Sequence, residues 1–250
     1  MKLYAELAEW WPLLSPPSHY GEEAADLLAV LAPDGSGAQT LLELGSGGGS
    51  LACHLKARLR LTLTDISPAM IAQNRRVNPE CEFAVGDMRS LDLGRQFDFV
   101  LVHDAIMYAA DPGSVKATVR TAARHCRPGG MVVLIPDFVR ETFEPSTAHG
   151  GEDGEDGRAL RYLEWTWDPD PSDCTYQVAY VYLMRDAAGH MSFDSEIHTE
   201  GLFERGEWLA WLREAGLEAD SRVDPWGRDM FVGRRLAPNR PMPGGTIPGP

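Results

Sequence analysis

The residues best suited to chemistry are acids and a histidine spaced along the first 140 positions. The run Leu41–Ser50 reads LLELGSGGGS, with Glu43 two positions ahead of a turn carrying Gly45, Gly47 and Gly49. Glycine has no Cβ, so such a turn can adopt positive φ and press its backbone against a ligand. A helix pattern follows, and the unpaired N–H groups at a helix start favour an anionic group. Glu43 can accept hydrogen bonds from an ammonium group while the turn, Ser46 included, meets a carboxylate. A zwitterionic amino acid fits that pair, and a pyrophosphate would be repelled by Glu43. The loop alone leaves a dinucleotide fingerprint open, because Gly47–Ala52 also satisfies G-x-G-x-x-A.

Further acids recur at set distances. Asp65 lies 20 positions beyond Gly45, where a carboxylate can hold two ribose hydroxyls, although Ser67 nearby competes with it as a helix cap. Gly86-Asp87-Met88-Arg89 offers a carboxylate for an exocyclic amine and a methionine for a flat ring. His103-Asp104 supplies a candidate base or orienting group in His103, with Tyr20, Asp137 and His198 as further candidates.

These residues need a scaffold that brings them together. Strand patterns fall at 39–44, 61–64, 82–85, 97–102 and 131–135, and helix patterns at 50–57, 68–76 and 112–126. Asp111 and Pro112 mark the start of the last helix, and Pro128-Gly129-Gly130 its end. Strands alternating with helices, and apolar along most of their length, imply an α/β fold with a parallel sheet covered on both faces. Ligands in such sheets bind at the carboxyl ends of the strands, where each residue singled out above stands.

Residues 1–35 read as an N-terminal helical arm, a lid over the cleft, with Leu27, Leu28 and Leu31 at helical spacing and Pro33 as the stop. Residues 36–137 form the core just described. Residues 138–205 break the alternation: an acidic, glycine-rich loop at 149–157 precedes strand patterns at 160–167, 176–185 and 191–203. On the second, Tyr176, Val178, Tyr180, Tyr182 and Met184 share a face. On the third, Ser192, Asp194, Glu196, His198 and Glu200 share a polar one. This small antiparallel sheet is expected to cap the cleft, to form a homodimer interface, or both. Residues 206–235 return to the core with an amphipathic helix closed by Gly216 and a final hairpin, and the proline-rich segment 236–250 is expected to be disordered.

With 250 residues, 44% of them hydrophobic, the chain can bury a substantial core. A net charge of −14 gives no basic footprint for nucleic acid. No apolar run is long enough to span a membrane. Four scattered cysteines without a C-x-x-C pattern indicate neither a zinc site nor a disulfide framework, so no metal is expected and the cytoplasm is the expected setting.

The ordered motifs resemble those of class I S-adenosylmethionine-dependent methyltransferases: Glu43-Leu-Gly-Ser-Gly-Gly-Gly, Asp65-Ile-Ser-Pro-Ala-Met70, Gly86-Asp-Met-Arg89, Phe97-Asp-Phe-Val and Arg127-Pro-Gly-Gly130. The resemblance implies a Rossmann-like, doubly wound, mostly parallel seven-stranded sheet and S-adenosyl-L-methionine as cofactor. It also implies that Glu43 and the glycine turn hold the methionine end, Asp65 the ribose, and Ile66 and Met88 the adenine faces, with Asp87 at the adenine amine and Met70 and His103 completing the set. Tyr4-Ala-Glu-Leu, Tyr20, Glu141-Thr-Phe143, Gly201-Leu-Phe-Glu204 and Arg228-Asp-Met-Phe-Val-Gly233 resemble one subgroup, the N,N-dimethyltransferases of nucleotide-linked amino sugars. Trp10-Trp11-Pro12 departs from it, standing where that subgroup has a tyrosine ahead of the first helix. The expectation is methyl transfer to a small-molecule amine. O-methylation, which would lean on His103 as base, and cofactor binding without turnover are the alternatives. A nicotinamide oxidoreductase is the most distant reading.

Overall fold

A computed structural model describes residues 1–32 and 39–237. Pro33, and all but two residues of the expected disordered tail, lie outside them. Seven strands form the central sheet: β1 (Thr40–Leu44), β2 (Arg60–Asp65), β3 (Glu82–Val85), β4 (Phe97–His103), β5 (Cys126–Ile135), β10 (Glu218–Val223) and β11 (Asp229–Arg234), in the order β10-β11-β5-β4-β1-β2-β3. β1 to β5 are parallel, and β11 runs antiparallel to both its neighbours, so the sheet is mostly parallel and Rossmann-like. Chain order reverses between β1 and β4, which opens a crevice beyond their carboxyl ends. The sheet is apolar through its middle strands because helices cover both faces: Leu41, Leu42, Leu44, Val100 and Val102 are all fully buried.

Among the described residues six α-helices attend the sheets: α1 (Trp11–Leu14), α2 (Gly21–Leu31), α3 (Ala52–Leu55), α4 (Pro68–Val77), α5 (Pro112–His125) and α6 (Arg205–Glu214). The local signals explain their starts. The Asp111 carboxylate accepts from the Ser114 amide at 2.9 Å and Pro112 takes the first turn of α5. Ser67 Oγ caps α4 by accepting from the Met70 amide at 3.2 Å, which leaves Asp65 free of that task. The helix after the glycine turn is shorter than its pattern, one turn only. Arg127-Pro128-Gly129-Gly130 does not merely end α5. It is the irregular start of β5, where the register against β4 shifts between Phe97 and Phe99.

Between β5 and α6 stands a second, antiparallel sheet in the order β6 (Ser146–Gly150), β7 (Ala159–Trp167), β8 (Thr175–Arg185), β9 (Met191–Gly201). It has four strands where the pattern showed three. The edge strand β6 takes in His149 and Gly150, read from composition as loop, because pairing with Tyr162 and Leu163 outweighs weak local preference. The N-terminal arm bridges the two sheets. The Leu3 amide and the Lys2 amide donate to Glu196 at 3.0 and 2.7 Å, and Ser50 Oγ donates to the Ser15 carbonyl at 2.5 Å.

The glycine turn is gripped from behind by two fully buried asparagines. Asn74 Nδ2 donates to Ser46 Oγ at 3.0 Å and to the Gly47 carbonyl at 3.2 Å, and Asn78 Nδ2 to the Gly49 carbonyl at 2.9 Å. Gly49 has φ of +83°, and a Cβ there would lie 2.1 Å from Asn74 Oδ1. Gly49→Ala is therefore expected to cost about 2 kcal/mol or more in a urea melt, from left-handed strain and overpacking together.

Candidate active site

A cavity of about 920 Å³ lies over the carboxyl ends of the strands, between the two sheets and beneath the N-terminal arm. At one end is the glycine turn. Gly45, Gly47 and Gly49 all have positive φ, and a Cβ on Gly45 would fall 2.3 Å from that of Ala105. Glu43, 3% exposed at the end of β1, points here, and its Oε2 has no hydrogen-bond partner. Burial pushes its carboxyl up to about 7. Asp65 is held at the end of β2 by the Gly47 amide at 2.9 Å and the Ser67 amide at 2.8 Å. Beyond it, Ile66 and Met88 line the cavity, and Ile66 is 64% exposed, an apolar side chain left open to a ligand face. The Asp87 carboxylate is engaged twice by the Arg89 guanidinium.

Buried charges are linked at the end of β4. His103 Nε2 meets Glu23 at 2.7 Å and its Nδ1 meets Asp104 at 3.3 Å. Arg228 bonds Glu23 as well, reaches Asp224 at 2.8 Å and lies 3.6 Å from Asp104. Burial opposes both ionised forms, yet the partners prevail: Glu23 falls to about 2, and the Asp104 and Glu23 charges raise His103. Asp104 has φ of +47° and ψ of −48°, the one non-glycine residue of positive φ among the described residues. That backbone costs about 1–3 kcal/mol and aims the carboxylate between His103 and Arg228.

The far wall belongs to the second sheet. Tyr176 Oη donates to Glu200 at 2.5 Å, and Glu200, pushed by burial to about 7, faces Asp137 from the end of β5. Burial, then the Asp104 and Glu200 charges, raise Asp137 well above the carboxylate range. Tyr4 and Tyr108 meet hydroxyl to hydroxyl at 2.7 Å. Tyr20, on the cavity wall, bonds Ser15 at 2.7 Å. Trp11 roofs the glycine turn, 3.5 Å from where a Gly47 Cβ would stand.

Most of the residues singled out in the sequence line this one cavity: Tyr20, Glu43, Gly45, Ser46, Gly47, Gly49, Asp65, Ile66, Asp87, Met88, His103 and Asp137. Two do not. Met70 is fully buried inside α4 against the core, because the Ser67 cap turns it inward. His198 is also buried, packed behind the rings of Tyr4, Tyr108 and Tyr180 at 5.0–6.0 Å, with Nδ1 3.0 Å from the Tyr108 hydroxyl. Burial lowers its pKa against the pull of Glu196, whose Oε1 lies 3.2 Å from Nε2. Sequence reasoning named Asp104, Glu200 and Arg228 without assigning them to the site, and passed over Glu23 and Glu164. The shared face of Tyr176, Val178 and Tyr180 was the available signal, since its partners across the sheet include Glu164 and Glu200.

A buried, unpartnered carboxylate beside a three-glycine cradle fits the zwitterionic end of an amino-acid-derived cofactor. A methyltransferase-domain family model matches residues 41–130. Over 233 residues the chain is 28% identical to the dTDP-3-amino-3,6-dideoxy-alpha-D-glucopyranose N,N-dimethyltransferase of Streptomyces fradiae, covering 91% of this chain and 90% of that one. The sugar N-methyltransferase KedS8 from Streptoalloteichus superposes with a TM-score of 0.75 and 30% identity, covering 88% of each chain. The chain belongs to the S-adenosylmethionine-dependent methyltransferases. The methyltransferase also superposes on CalS10, an amino pentose methyltransferase from Micromonospora echinaspora solved with S-adenosylmethionine bound, with a TM-score of 0.71 and 28% identity over 87% of this chain and 92% of that one. Among the described residues of the methyltransferase no three acids, histidines or cysteines gather as a metal site, and no helix is long and apolar enough to cross a membrane.

Glu43 generates a pH prediction. Its charged form is the one that attracts an ammonium group, and its pKa in the free enzyme is about 7. Affinity for S-adenosylhomocysteine should therefore rise with pH through that value, by about tenfold from pH ~6 to pH ~8. Calorimetric titration checks this, and Glu43→Gln should bind weakly with a flat profile.

Proposed function

We propose that the enzyme transfers methyl groups to an amine of a small-molecule acceptor, with Glu43 and the glycine turn at the methionine end of the cofactor. Asp65 holds the ribose, Ile66 and Met88 pack on the adenine faces, and Asp87 meets its amine, swinging partly from Arg89. Bound S-adenosylmethionine supplies an electrophilic sulfonium methyl, so the protein's task is alignment and proton removal. Alignment of well-held reactants is worth up to ~7–11 kcal/mol. The observation that carries the amine reading is the acceptor end of the cavity, where Asp137, Glu200 and Asp104 stand among tyrosine rings. Carboxylates and aromatic faces attract an ammonium group. The named relatives, an amino-sugar N,N-dimethyltransferase and a sugar N-methyltransferase, agree with that chemistry.

His103, the leading candidate base from sequence, is better cast as a positioning residue. Both its nitrogens are engaged by carboxylates, whose charges raise its pKa against the opposing burial. Glu200, at about 7, is better matched to take the proton that an ammonium must lose before attack, with Asp137 beside it. The N-terminal arm excludes water by covering the cavity. Its release would admit the cofactor.

The second sheet also supports a homodimer. Its outer face exposes Leu163, Trp165, Val181, Leu183, Phe193 and Ile197, the last two at 79% and 61%. We place a second copy there, with the two faces paired about a two-fold axis. The free cysteines fit a cytoplasmic setting.

Two measurements follow. Methyl transfer from labelled cofactor should go to an amino sugar and not to its hydroxyl counterpart, and Glu200→Gln should lower kcat by ~100-fold or more. Transfer to the hydroxyl compound alone would overturn the amine assignment. Sedimentation should give twice the mass of the chain, and the Phe193→Glu, Ile197→Lys double variant should give a monomer.

A further inference from the structure

Strand β9 carries an acid, a histidine and an acid in one row: Glu196, His198 and Glu200. Alternate residues of a strand share a face about 7 Å apart, so the ring stands between the two carboxyl groups. His198 Nε2 lies 3.2 Å from Glu196 Oε1, and Nδ1 lies 3.0 Å from the Tyr108 hydroxyl and 4.0 Å from Glu200 Oε1. Tyr108 lines the cavity, and its hydroxyl is within hydrogen-bonding reach of Glu200 and, at 2.7 Å, of Tyr4. Glu200 therefore has a hydroxyl and then an imidazole behind it. The imidazole is 1% exposed and does not line the cavity.

The chemistry of the row assigns its protons. A carboxylate only accepts, so the proton of the neutral ring belongs on Nε2, facing Glu196, and Nδ1 accepts from Tyr108. Nε2 makes no aligned hydrogen bond in this arrangement, and a charged ring would be drawn to Glu196 as an ion pair. Glu196 is held ready for it, accepting from the Lys2 and Leu3 amides at 2.7 and 3.0 Å and from the Tyr182 hydroxyl at 3.4 Å. The rings of Tyr4, Tyr108 and Tyr180 surround the imidazole. Burial and the Met1 ammonium oppose a charge on it, and Glu196 favours one. These opposed influences suit a ring that takes up a proton and gives it back.

We propose that His198, reached through the Tyr108 hydroxyl, holds the proton that the acceptor ammonium gives up to Glu200. This rests on the amine reading above and deepens it. An N–H bond of the ammonium breaks, its electron pair stays on nitrogen, and an O–H bond forms on Glu200. Glu200 passes that proton to the Tyr108 oxygen as Tyr108 passes its own to Nδ1. The sum is one proton moved from ammonium to imidazole, with no change of oxidation state. Glu200 is then a carboxylate again when the methyl arrives, and methylation makes the nitrogen positive. A carboxylate stabilises that developing charge, and a neutral carboxyl group does so far less. After the product leaves, the same hydroxyl returns the proton to water in the cavity. His198 touches no substrate. It is a positioning residue that acts through Tyr108 and Glu200.

Single-turnover methyl transfer from labelled S-adenosylmethionine tests this. The acceptors are glucosamine, kanosamine and, as the hydroxyl counterpart, glucose. Two variants break the row at different points. His198→Gln keeps an acceptor for Tyr108 and a donor for Glu196 but takes up no proton, and Tyr108→Phe removes the hydroxyl alone. Calorimetry with S-adenosylhomocysteine shows that each variant is folded with its cofactor site intact. An amine among hydroxyl-bearing carbons titrates near an α-amino group, at about 8. At pH ~6.5, where it arrives as ammonium, transfer to the better amino sugar should fall by ~10-fold or more in each variant. At pH ~9.5, where it arrives neutral, the loss should shrink severalfold. Wild-type rates at pH ~6.5 in either variant, or the same loss at both pH values, would overturn the proposal. A loss in Glu200→Gln alongside those results would leave the amine reading and its base standing. Transfer to glucose alone, or to none of the three, would remove both.

Discussion

Like charges crowded into one cavity must be answered by protons, by fixed cations or by a ligand, and this molecule uses all three. Asp137 and Glu200 face one another and shift toward their neutral forms. Glu23 and Asp104 are answered inside the protein by His103 and Arg228. Glu43 has no fixed cation among its contacts and lines the same cavity. The cavity is therefore electrostatically incomplete by itself. Its missing charge is positive, which is the charge carried by a sulfonium, by the cofactor's ammonium group and by an amine acceptor.

That requirement explains the acids on one face of the second sheet. An antiparallel sheet on a protein surface usually sends apolar residues inward and polar residues outward. The inner face here buries Leu160, Tyr176, Val178, Tyr182 and Met184 and carries Glu164 and Glu200 among them, while Leu163, Trp165, Phe193 and Ile197 point away. The acids stand on an otherwise apolar and aromatic face because it is the wall of a charged site. His198 is buried behind three tyrosines, where burial lowers its pKa. The outer face is apolar beyond what solvent favours, which is the physical ground for placing a second copy against it.

The N-terminal arm closes the space. Glu196 and Asp194 on β9 hold its first residues, and Ser50, next to the glycine turn, holds its end. Trp11 thereby lies over the turn, and Tyr4 joins Tyr108 in the wall. The arm thus links the two sheets and roofs the one cavity between them.

The central sheet was legible in the sequence because its determinants are local. Apolar runs of five or six residues, glycines where φ is positive, and caps such as Ser67 and Asp111 act within a few positions of where they stand. The gathering of Glu43, Asp65 and Met88 on one cavity was legible for the same reason: they stand at the ends of consecutive strands, and a parallel sheet brings consecutive strand ends together. Met70 was misplaced because a motif gives spacing and not the direction of a side chain, which the helix cap decided. β6 was read as loop because an edge strand draws its stability from a neighbour and not from its own composition. The acceptor end was out of reach for a stronger reason. Glu23, Asp104, Glu164, Glu200 and Arg228 come from five separate elements and act through charge–charge distances that no linear spacing encodes. The sequence by itself determined the fold class, the family and which strand ends meet at one cavity. Only the tertiary structure decided which histidine would be clamped between acids and which buried behind a wall, because burial and neighbouring charge, not residue type, set a group's protonation.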